Sequence, residues 1–210
     1  GFDGELFPVN PRADAVLGER AYRALDDVPG EIDFAYILLG TEAVEAQVAA
    51  CAARGIPVAC VLADGFAEAG AEGATLQARV LAAARAGGMR LLGPNSMGVV
   101  NVLARTALST NAALEADALP RGRVALVSQS GSMMGALLSR GAARGLGFTH
   151  LVGTGNEADL TAGEVAALLL EDPAVEAVCL FLEAIRAPDM LADAARKAHA
   201  LGKPMIALKL

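Results

Sequence analysis

The stretch Val124-Ala-Leu-Val-Ser-Gln-Ser-Gly-Ser-Met-Met-Gly135 predicts a buried strand, a turn of small residues and the start of a helix. Its first four residues are apolar, as in strands inside a parallel sheet. Ser128, Ser130, Gly131 and Ser132 follow, where a helix N-terminus offers unpaired N–H groups and a partial positive charge. We therefore predict that the turn holds an anion such as phosphate, although an ordinary strand-to-helix connection would use the same residues. The turn is neither a P-loop nor a Gly-x-Ser-x-Gly hydrolase elbow.

Composition limits the classes of protein to which the chain can belong. Hydrophobic residues make up 54% of its 210 residues and charged residues 20%, so the chain can bury a sizeable core. A net charge of −7 argues against non-specific binding to nucleic acid, but a helix N-terminus can still hold an anion. No apolar run reaches the roughly 18 residues of a membrane helix, and no signal peptide opens the chain.

The three cysteines, Cys51, Cys60 and Cys179, are odd in number, far apart and set in apolar stretches. This pattern disfavours a disulfide framework and a zinc site. It predicts buried thiols in a reducing cytoplasm, with no metal site.

Strand and helix patterns alternate along the chain. Strands are predicted at residues 5–9, 34–39, 57–62, 90–92, 124–127, 148–152, 178–182 and 204–208, and helices at 17–25, 41–54, 75–85, 132–144, 161–171 and 188–201. Thr41 is the predicted cap of the second helix, and Thr161 with Glu164 forms a predicted capping box. The alternation indicates an α/β protein with two doubly wound parallel-sheet domains. Residues 101–122 interrupt it, so we place the domains at residues 1–118 and 119–210.

Ligands of doubly wound sheets bind at the carboxyl ends of the strands, which singles out particular loops. In the first half these loops are residues 10–11, 40–41, 63–66 and 93–98, and in the second half 128–132, 153–159 and 183–186.

Motifs in these loops resemble those of the NDP-forming acyl-CoA synthetases, of the ADP-forming acetate–CoA ligase type, which are related to the α subunit of succinyl-CoA synthetase. The motifs are Phe7-Pro-Val-Asn-Pro11, Gly93-Pro-Asn-Ser-Met-Gly98, Ser128-Gln-Ser-Gly-Ser132, Gly155-Asn-Glu-Ala-Asp159 and Cys179-Leu-Phe-Leu-Glu183, in this order. The resemblance covers essentially the whole chain. It implies a Rossmann-like CoA-binding domain followed by a flavodoxin-like CoA-ligase domain. The implied reaction interconverts acyl-CoA, NDP and phosphate with carboxylic acid, CoA and NTP, through an acyl phosphate and a phosphohistidine.

The resemblance also assigns individual residues. It implies that CoA is bound by Val9, Asn10, Pro11, Leu39, Gly40, Thr41, Asp64, Gly65, Phe66, Gly93, Pro94, Asn95 and Ser96. Where this chain has Ser96, the family often has Cys. Ser130, Gly131 and Ser132 match the turn that cradles the phosphate, and Glu183 matches the catalytic glutamate that contacts the phosphohistidine. As alternatives, residues 93–96 could form a plain β-turn and Glu183 could be a solvated acid.

Three departures from the family pattern bear on function. We expect the chain to begin after the family's Gly-rich loop and to end before its phosphohistidine, since neither His150 nor His199 matches that residue. In the family, ATP or ADP with Mg²⁺ binds to an ATP-grasp domain, which this sequence does not contain. The chain alone is therefore expected to be inactive, and to associate with an ATP-grasp domain or subunit or to form an oligomer.

Two other functions are alternatives to the synthetase. Some protein lysine acetyltransferases carry a similar region, so the chain could be a non-catalytic module that senses acyl-CoA. A histidine-containing loop just after Leu210 would favour the synthetase. A dinucleotide-dependent oxidoreductase is disfavoured because no Gly-x-Gly-x-x-Gly follows a strand.

Overall fold

The computed structural model describes residues 2–115 and 119–210. Strands and helices alternate through them, which confirms the predicted α/β class. The strands are β1 (Ala15–Val16), β2 (Glu19–Arg20), β3 (Phe34–Ile37), β4 (Val58–Val61), β5 (Arg90–Leu92), β6 (Gly98–Asn101), β7 (Thr106–Ser109), β8 (Arg121–Ser128), β9 (Phe148–Gly153), β10 (Ala177–Leu182) and β11 (Met205–Lys209). The helices are α1 (Thr41–Ala53), α2 (Ala71–Ala86), α3 (Gly131–Ala142), α4 (Ala162–Leu169) and α5 (Pro188–Ala200). None of the helices in the described residues is both long and apolar enough to cross a membrane.

The first sheet is parallel, with the strand order β3-β4-β5. Apart from Arg90 at the start of β5, its strands consist of apolar and aromatic residues, as expected for strands covered on both faces. On one face, Ala59 and Val61 pack with α1 and α2. On the other face, Cys60 and Leu92 join the core of the second half of the chain. The sheet therefore lies between its own helices and the second half.

The second sheet has six strands in the order β11-β10-β8-β9-β6-β7. Strands β8 to β11 run parallel to one another, whereas β6 and β7 form an antiparallel hairpin at one edge, in which β6 also pairs antiparallel with β9. Ala125 and Val127 on β8 face α4 and α5, and Leu126 between them faces α3. Helices thus cover both faces of the parallel part, as in a doubly wound fold.

The hairpin of β6 and β7 precedes the predicted domain division at residues 118 and 119, yet it pairs with the second sheet. Its turn and its second strand lie in the segment 101–122, which interrupts the alternation of strands and helices, whereas β6 almost entirely precedes that segment. Residues 116–118 lie outside the described residues, and the division there stays a prediction.

The prediction was wrong at the start of the chain. Residues 17–25 form no α-helix, because β1 and β2 make a hairpin whose turn residues Leu17 and Gly18 both have positive φ (52° and 87°). Such turns match the twist of antiparallel strands. The predicted strand at residues 5–9 is reduced to a single bridge between Val9 and Tyr22.

The remaining helices lie near their predicted positions. Thr161 caps α4 through the predicted box with Glu164, whose side chain accepts from the Thr161 N–H at 3.2 Å. The prediction that Thr41 caps α1 was wrong, because the N-cap is Gly40. The Thr41 hydroxyl instead donates a hydrogen bond to the carbonyl oxygen of Asp64 at 2.7 Å.

Candidate functional site

Three predicted CoA-binding loops, residues 39–41, 64–66 and 93–96, lie at one edge of the first sheet. They follow β3, β4 and β5, whose carboxyl ends meet at this edge because the strands are parallel. The bond from Thr41 to the Asp64 carbonyl joins the first two loops. The N–H of Asn95 donates to the carbonyl of Ala63 at 2.8 Å and joins the third. The fold therefore assembles these loops into one surface.

The loop after β4 is organised around a carboxylate. Gly65 has a φ of 84°, and the N–H groups of Gly65 and Phe66 donate to Glu68 Oε1 at 2.6 and 3.1 Å. The side chain of Phe66 is fully buried in the core of the first half. Phe66 is therefore shielded from solvent in this structure, and the expectation that it lies along CoA stays a prediction.

Glu68 also ties this loop to the second half of the chain, because its carboxylate accepts a hydrogen bond from the side-chain amide of Asn156. Asn156 donates as well to Gln77 Oε1 at 3.0 Å. Burial alone would raise the pKa of Glu68, but the hydrogen bonds from Asn156 and from backbone N–H groups outweigh it and lower the pKa. Sequence reasoning missed Glu68, although Asn156 belongs to the quoted motif at residues 155–159.

The loop after β5 has a cis peptide bond between Gly93 and Pro94, and its exposed residue Asn95 has a φ of 57°. Ser96 follows it and is only 1% exposed. Its hydroxyl donates to the Gly153 carbonyl at 2.6 Å and accepts from the Gly98 N–H at 3.1 Å. The Ser96 side chain therefore joins the two halves, and the expectation that Ser96 lines the CoA site stays a prediction.

Beneath Ser96 lies Cys60, whose thiol donates to the Ser96 hydroxyl at 3.3 Å. Burial raises the pKa of Cys60 to about 12, and the hydrogen bond to Ser96 offsets this only in part. At neutral pH the thiol is protonated and cannot act as a nucleophile. Cys51 is also a buried free thiol, as predicted, whereas the free thiol Cys179 is only part-buried.

The motif at residues 155–159 runs along the first sheet. The N–H groups of Asn156 and Ala158 donate to the carbonyls of Pro94 and Gly93, each at 2.9 Å. The Asp159 carboxylate accepts from Arg90 Nε at 2.7 Å and from the Leu91 N–H at 3.0 Å. The motif therefore holds the loop of residues 93–96 against the second half.

At the N-terminal predicted site, the backbone N–H of Asn10 donates to the Tyr22 carbonyl at 2.8 Å. The Asn10 side-chain oxygen accepts from the N–H groups of Arg12 and Ala13 at 2.9 and 3.1 Å. Val9 is 43% exposed beside this turn. The Asn10 side-chain oxygen thus forms its hydrogen bonds within the turn, and Val9 and Pro11 lie at the surface.

The predicted phosphate cradle lies at the N-terminus of α3. Ser130 is the N-cap, and its hydroxyl accepts from the Met133 N–H at 3.4 Å. The hydroxyls of Ser130 and Ser132 are 3.1 Å apart. The first N–H groups of a helix have no partner within it, so Gly131 and Ser132 can direct theirs at an anion. A side chain at Gly131 would collide with Met97, since an added Cβ would lie 1.9 Å from Met97 Cγ.

Glu183 lies beside this turn in the sheet, because β8 and β10 are neighbours and both end here. Its side chain is exposed just past the end of β10. The side chain of Gln129, by contrast, is buried between the two strand ends and holds the backbone of Glu183 and Ala184. The sequence motif at residues 128–132 includes Gln129 but predicts no role for it. A large amide among small turn residues is the one feature of the sequence that could have indicated a role.

The two histidines lie elsewhere. His150 is in the middle of β9, where its register partner on β8 is Ala125, three residues before the end of that strand. It is buried, its Nε2 is 3.8 Å from an Asp172 oxygen, and its Nδ1 has no hydrogen-bond partner within the described residues. His199 is exposed on α5. Neither histidine therefore replaces a phosphohistidine at α3.

Comparisons with known protein families cover both halves of the chain. A CoA binding domain matches residues 3–102, and a succinyl-CoA ligase like flavodoxin domain matches residues 121–210. Together they match the order of domains that the sequence motifs predicted.

Individual relatives agree with these domains. The chain is 34% identical over 209 residues to a trans-feruloyl-CoA synthase from an unknown prokaryotic organism, which covers 99% of this chain and 29% of that protein. It is 31% identical over 209 residues to the α subunit of ADP-forming acetate–CoA ligase II from Pyrococcus furiosus, covering 98% of this chain and 44% of the subunit.

A solved structure shows the same fold. The apo form of dinucleotide forming acetyl-coenzyme A synthetase 1 from Ca. Korarchaeum cryptofilum superimposes with a TM-score of 0.91 at 32% identity, over 100% of this chain and 44% of that one. The chain therefore spans less than half the length of each of these relatives. From its two domains, its loops and these relatives, the chain belongs to the NDP-forming acyl-CoA synthetase family, of which it represents the CoA-binding and succinyl-CoA-ligase-like flavodoxin domains.

Proposed function

We propose that this chain is the CoA-binding and CoA-ligase part of an ADP-forming acyl-CoA synthetase. The complete reaction would convert acyl-CoA, ADP and phosphate into a carboxylic acid, CoA and ATP, or run in reverse. The observation that carries the proposal is the match of both domains, in order, to this family. The assembly of three predicted CoA-binding loops at one sheet edge supports it.

In this proposal CoA binds across the carboxyl edge of the first sheet. The loops at residues 39–41, 64–66 and 93–96 would contact it through their exposed residues, and Val9 to Pro11 would add a further contact. The exposed residues are Leu39, Gly40, Asp64, Gly65 and Asn95. Because the Asp159 motif and Ser96 tie the last loop to the second half, the thiol end of CoA would be directed towards the cleft between the halves.

The second domain would hold the phosphoryl group that is transferred. Unpaired N–H groups at the N-terminus of α3 and the hydroxyls of Ser130 and Ser132 are suited to an anion with several oxygens. Fixed donors of this kind stabilise charge on a phosphoryl group without rearrangement during the reaction. Glu183, on the neighbouring strand end, would orient the imidazole of a phosphohistidine by accepting its N–H.

The remaining parts of the reaction would lie outside these 210 residues. We propose that ATP or ADP with Mg²⁺ binds to an ATP-grasp domain, on the same polypeptide or on a partner subunit, and that the working enzyme is an oligomer in the cytoplasm. Among the relatives described above, one name specifies a feruloyl group and another acetate. The acyl group is therefore a matter for experiment.

The test is calorimetric titration of the chain with CoA, with desulfo-CoA and NADH as comparisons. We expect CoA to bind and NADH not to bind. A Thr41→Val variant loses the bond to the Asp64 carbonyl, so we expect its CoA affinity to fall by about threefold to tenfold. Thr75→Val is the matched control, because the Thr75 hydroxyl bonds only within α2, to the Ala71 carbonyl.

Binding of NADH in place of CoA would contradict the proposal and favour an oxidoreductase. Equal CoA affinities of the Thr41 and Thr75 variants would show that CoA binding does not depend on the bond that joins the loops at residues 39–41 and 64–66. Nothing in the fold or in the named relatives favours the alternative of an acyl-CoA sensor fused to an acetyltransferase.

A further inference from the structure

Gln129 connects two strand ends of the second sheet. It lies between the last residue of β8 and the N-cap of α3, and it is 7% exposed. Its backbone N–H donates to the Phe181 carbonyl at 3.0 Å, which continues the pairing of β8 with β10 by one residue. Its side chain reaches two residues further along the neighbouring strand.

There the side-chain amide makes three hydrogen bonds. Gln129 Oε1 accepts from the N–H of Glu183 at 2.7 Å and from the N–H of Ala184 at 2.9 Å. Gln129 Nε2 donates to the Ala184 carbonyl at 2.8 Å. The oxygen and the nitrogen of the amide are therefore both used, and every bond goes to the backbone of Glu183 or Ala184.

This backbone has little other support. The pairing of β10 with β8 ends at Phe181, and its pairing with β11 ends at Leu182. Within the described part of the chain, the N–H groups of Glu183 and Ala184 donate only to Gln129. Ile185 and Arg186 beyond them are exposed. The Leu182 carbonyl accepts from the Leu210 N–H at 3.1 Å, but beyond it the backbone N–H groups of Glu183 and Ala184 donate their hydrogen bonds to one side chain.

We propose that Gln129 is a positioning residue, which fixes the carboxylate of Glu183 at one distance from the N-terminus of α3. The inference rests on the proposed function, in which an anion at that terminus and Glu183 both face one imidazole. Two negative groups must then be held apart by a set distance, because a shift of either would misalign the ring. Gln129 is suited to this task because it precedes the cradle directly in the chain and bonds the backbone of Glu183.

The experiment measures how strongly the charge of Glu183 affects phosphate binding. Inorganic phosphate is titrated into the ¹⁵N-labelled chain while the amide signals of Ser132 and Met133 are followed by NMR. The titration is repeated for Glu183→Gln, for Gln129→Met, for the double variant and for Gln47→Met as the matched control. Gln47 is on α1, where its amide bonds only to Cys51.

In the wild-type background we expect Glu183→Gln to tighten phosphate binding by about threefold, because it removes a like charge held close to the anion. In the Gln129→Met background the same change is expected to alter affinity by less than about 1.5-fold, since the carboxylate is no longer held. If Gln129 had a merely structural role, Gln129→Met would weaken phosphate binding equally in the chain with Glu183 and in the chain with Glu183→Gln. The threefold effect of Glu183→Gln would then remain. That result would overturn the inference.

Hydrogen exchange gives a second, independent measurement. Gln129→Met is expected to speed exchange of the Glu183 and Ala184 amides by about tenfold or more, while amides within β10 keep their protection. Unchanged exchange at both amides would also overturn the inference. If Gln129→Met does not fold, Gln129→Ala replaces it, because it also removes all three side-chain hydrogen bonds and is expected to abolish the threefold ratio. Retention of that ratio in a folded Gln129→Ala chain would contradict the inference.

A missing phosphate site and a missing positioning role would give different results. If the wild-type amides of Ser132 and Met133 do not respond to phosphate, the cradle of the proposed function is wrong, and the inference falls with it. If they respond but the effect of Glu183→Gln is the same with and without Gln129, only the positioning role is wrong.

Discussion

Ser96 and Gly153 are joined by a hydrogen bond of 2.6 Å between the buried Ser96 hydroxyl and the Gly153 carbonyl. The bond links the loop after β5 to the end of β9, and therefore links the first sheet to the second. The same hydroxyl accepts from the N–H of Gly98, at the start of β6. One side chain thus satisfies two backbone groups where the halves of the chain meet.

Replacing Ser96 with Ala should destabilise the chain. The change leaves a buried carbonyl and a buried N–H without their partner, so we expect the free energy of unfolding to fall by about 2 kcal/mol. Urea denaturation measures this fall. Ser139→Ala on the exposed side of α3 is the control and should change stability by less than about 0.5 kcal/mol. Equal losses in the two variants would contradict the bracing role.

Asp159 should contribute stability that depends on pH. Burial alone would raise its pKa, but hydrogen bonds from Arg90 and the Leu91 N–H outweigh this and lower the pKa below its usual 3.8. A carboxyl group with a lowered pKa contributes its stability above the pKa of the unfolded chain, and loses it as the pH falls through the folded value. The stability difference between wild type and Asp159→Asn should therefore be constant above about pH 5 and shrink below about pH 4.

The measurement is urea denaturation of both proteins from pH 3 to pH 7. Asp193→Asn is the control, because Asp193 and Arg196 form an exposed pair on α5, and such pairs contribute about 0–1 kcal/mol. A stability difference for Asp159→Asn that did not shrink at low pH would contradict the assignment.

His150 should make the chain less stable in mild acid. Burial lowers its pKa below the usual 6.5, and the nearby Asp172 carboxylate only partly counteracts this. Between its folded pKa and about pH 6.5 the unfolded chain binds more protons, so stability rises with pH in this window and levels off above it. His150→Gln should remove this rise, whereas His199→Gln should retain it. Thermal unfolding from pH 5 to pH 8 measures the effect, and a rise that persists in His150→Gln would contradict it.

Gly131 should not tolerate a side chain while Met97 is present. An added Cβ would lie 1.9 Å from Met97 Cγ, so Gly131→Ala is expected to cost about 1–3 kcal/mol of stability and to weaken phosphate binding at α3. The double variant with Met97→Ala should recover part of the stability lost in Gly131→Ala, measured against Met97→Ala alone. Thermal unfolding and phosphate titration measure both effects. An equal cost of Gly131→Ala in both backgrounds would rule out the collision as the cause.

Much of the fold could be predicted because its signals are local. Buried parallel strands are continuous apolar runs, and the glycines after α1 and α2 mark helix ends, so these elements lie where the pattern placed them. The errors have physical causes as well. The hairpin turn needs a positive φ at Leu17, and leucine rarely adopts this conformation, so the sequence does not indicate a turn there.

The candidate site could be predicted only in part, because motif residues do not show which of their atoms are free. Ser96 and Phe66 stand in the expected loops, yet their side chains are buried and used for packing or bracing. The supporting residues Gln129 and Glu68 act through contacts to distant backbone or side chains. Pairings over long sequence separations arise from the fold, and a reading of local patterns does not reveal them.

The hairpin of β6 and β7 has a consequence for how the chain can be divided. A cut between the matched families, after residue 102, would leave β6 on one piece and the strand it pairs with, β9, on the other. Two such fragments would each expose an unpaired strand edge, and open edges of this kind promote aggregation. The two halves therefore share one sheet and are not independent units. We expect calorimetry of the intact chain to show one cooperative melting transition.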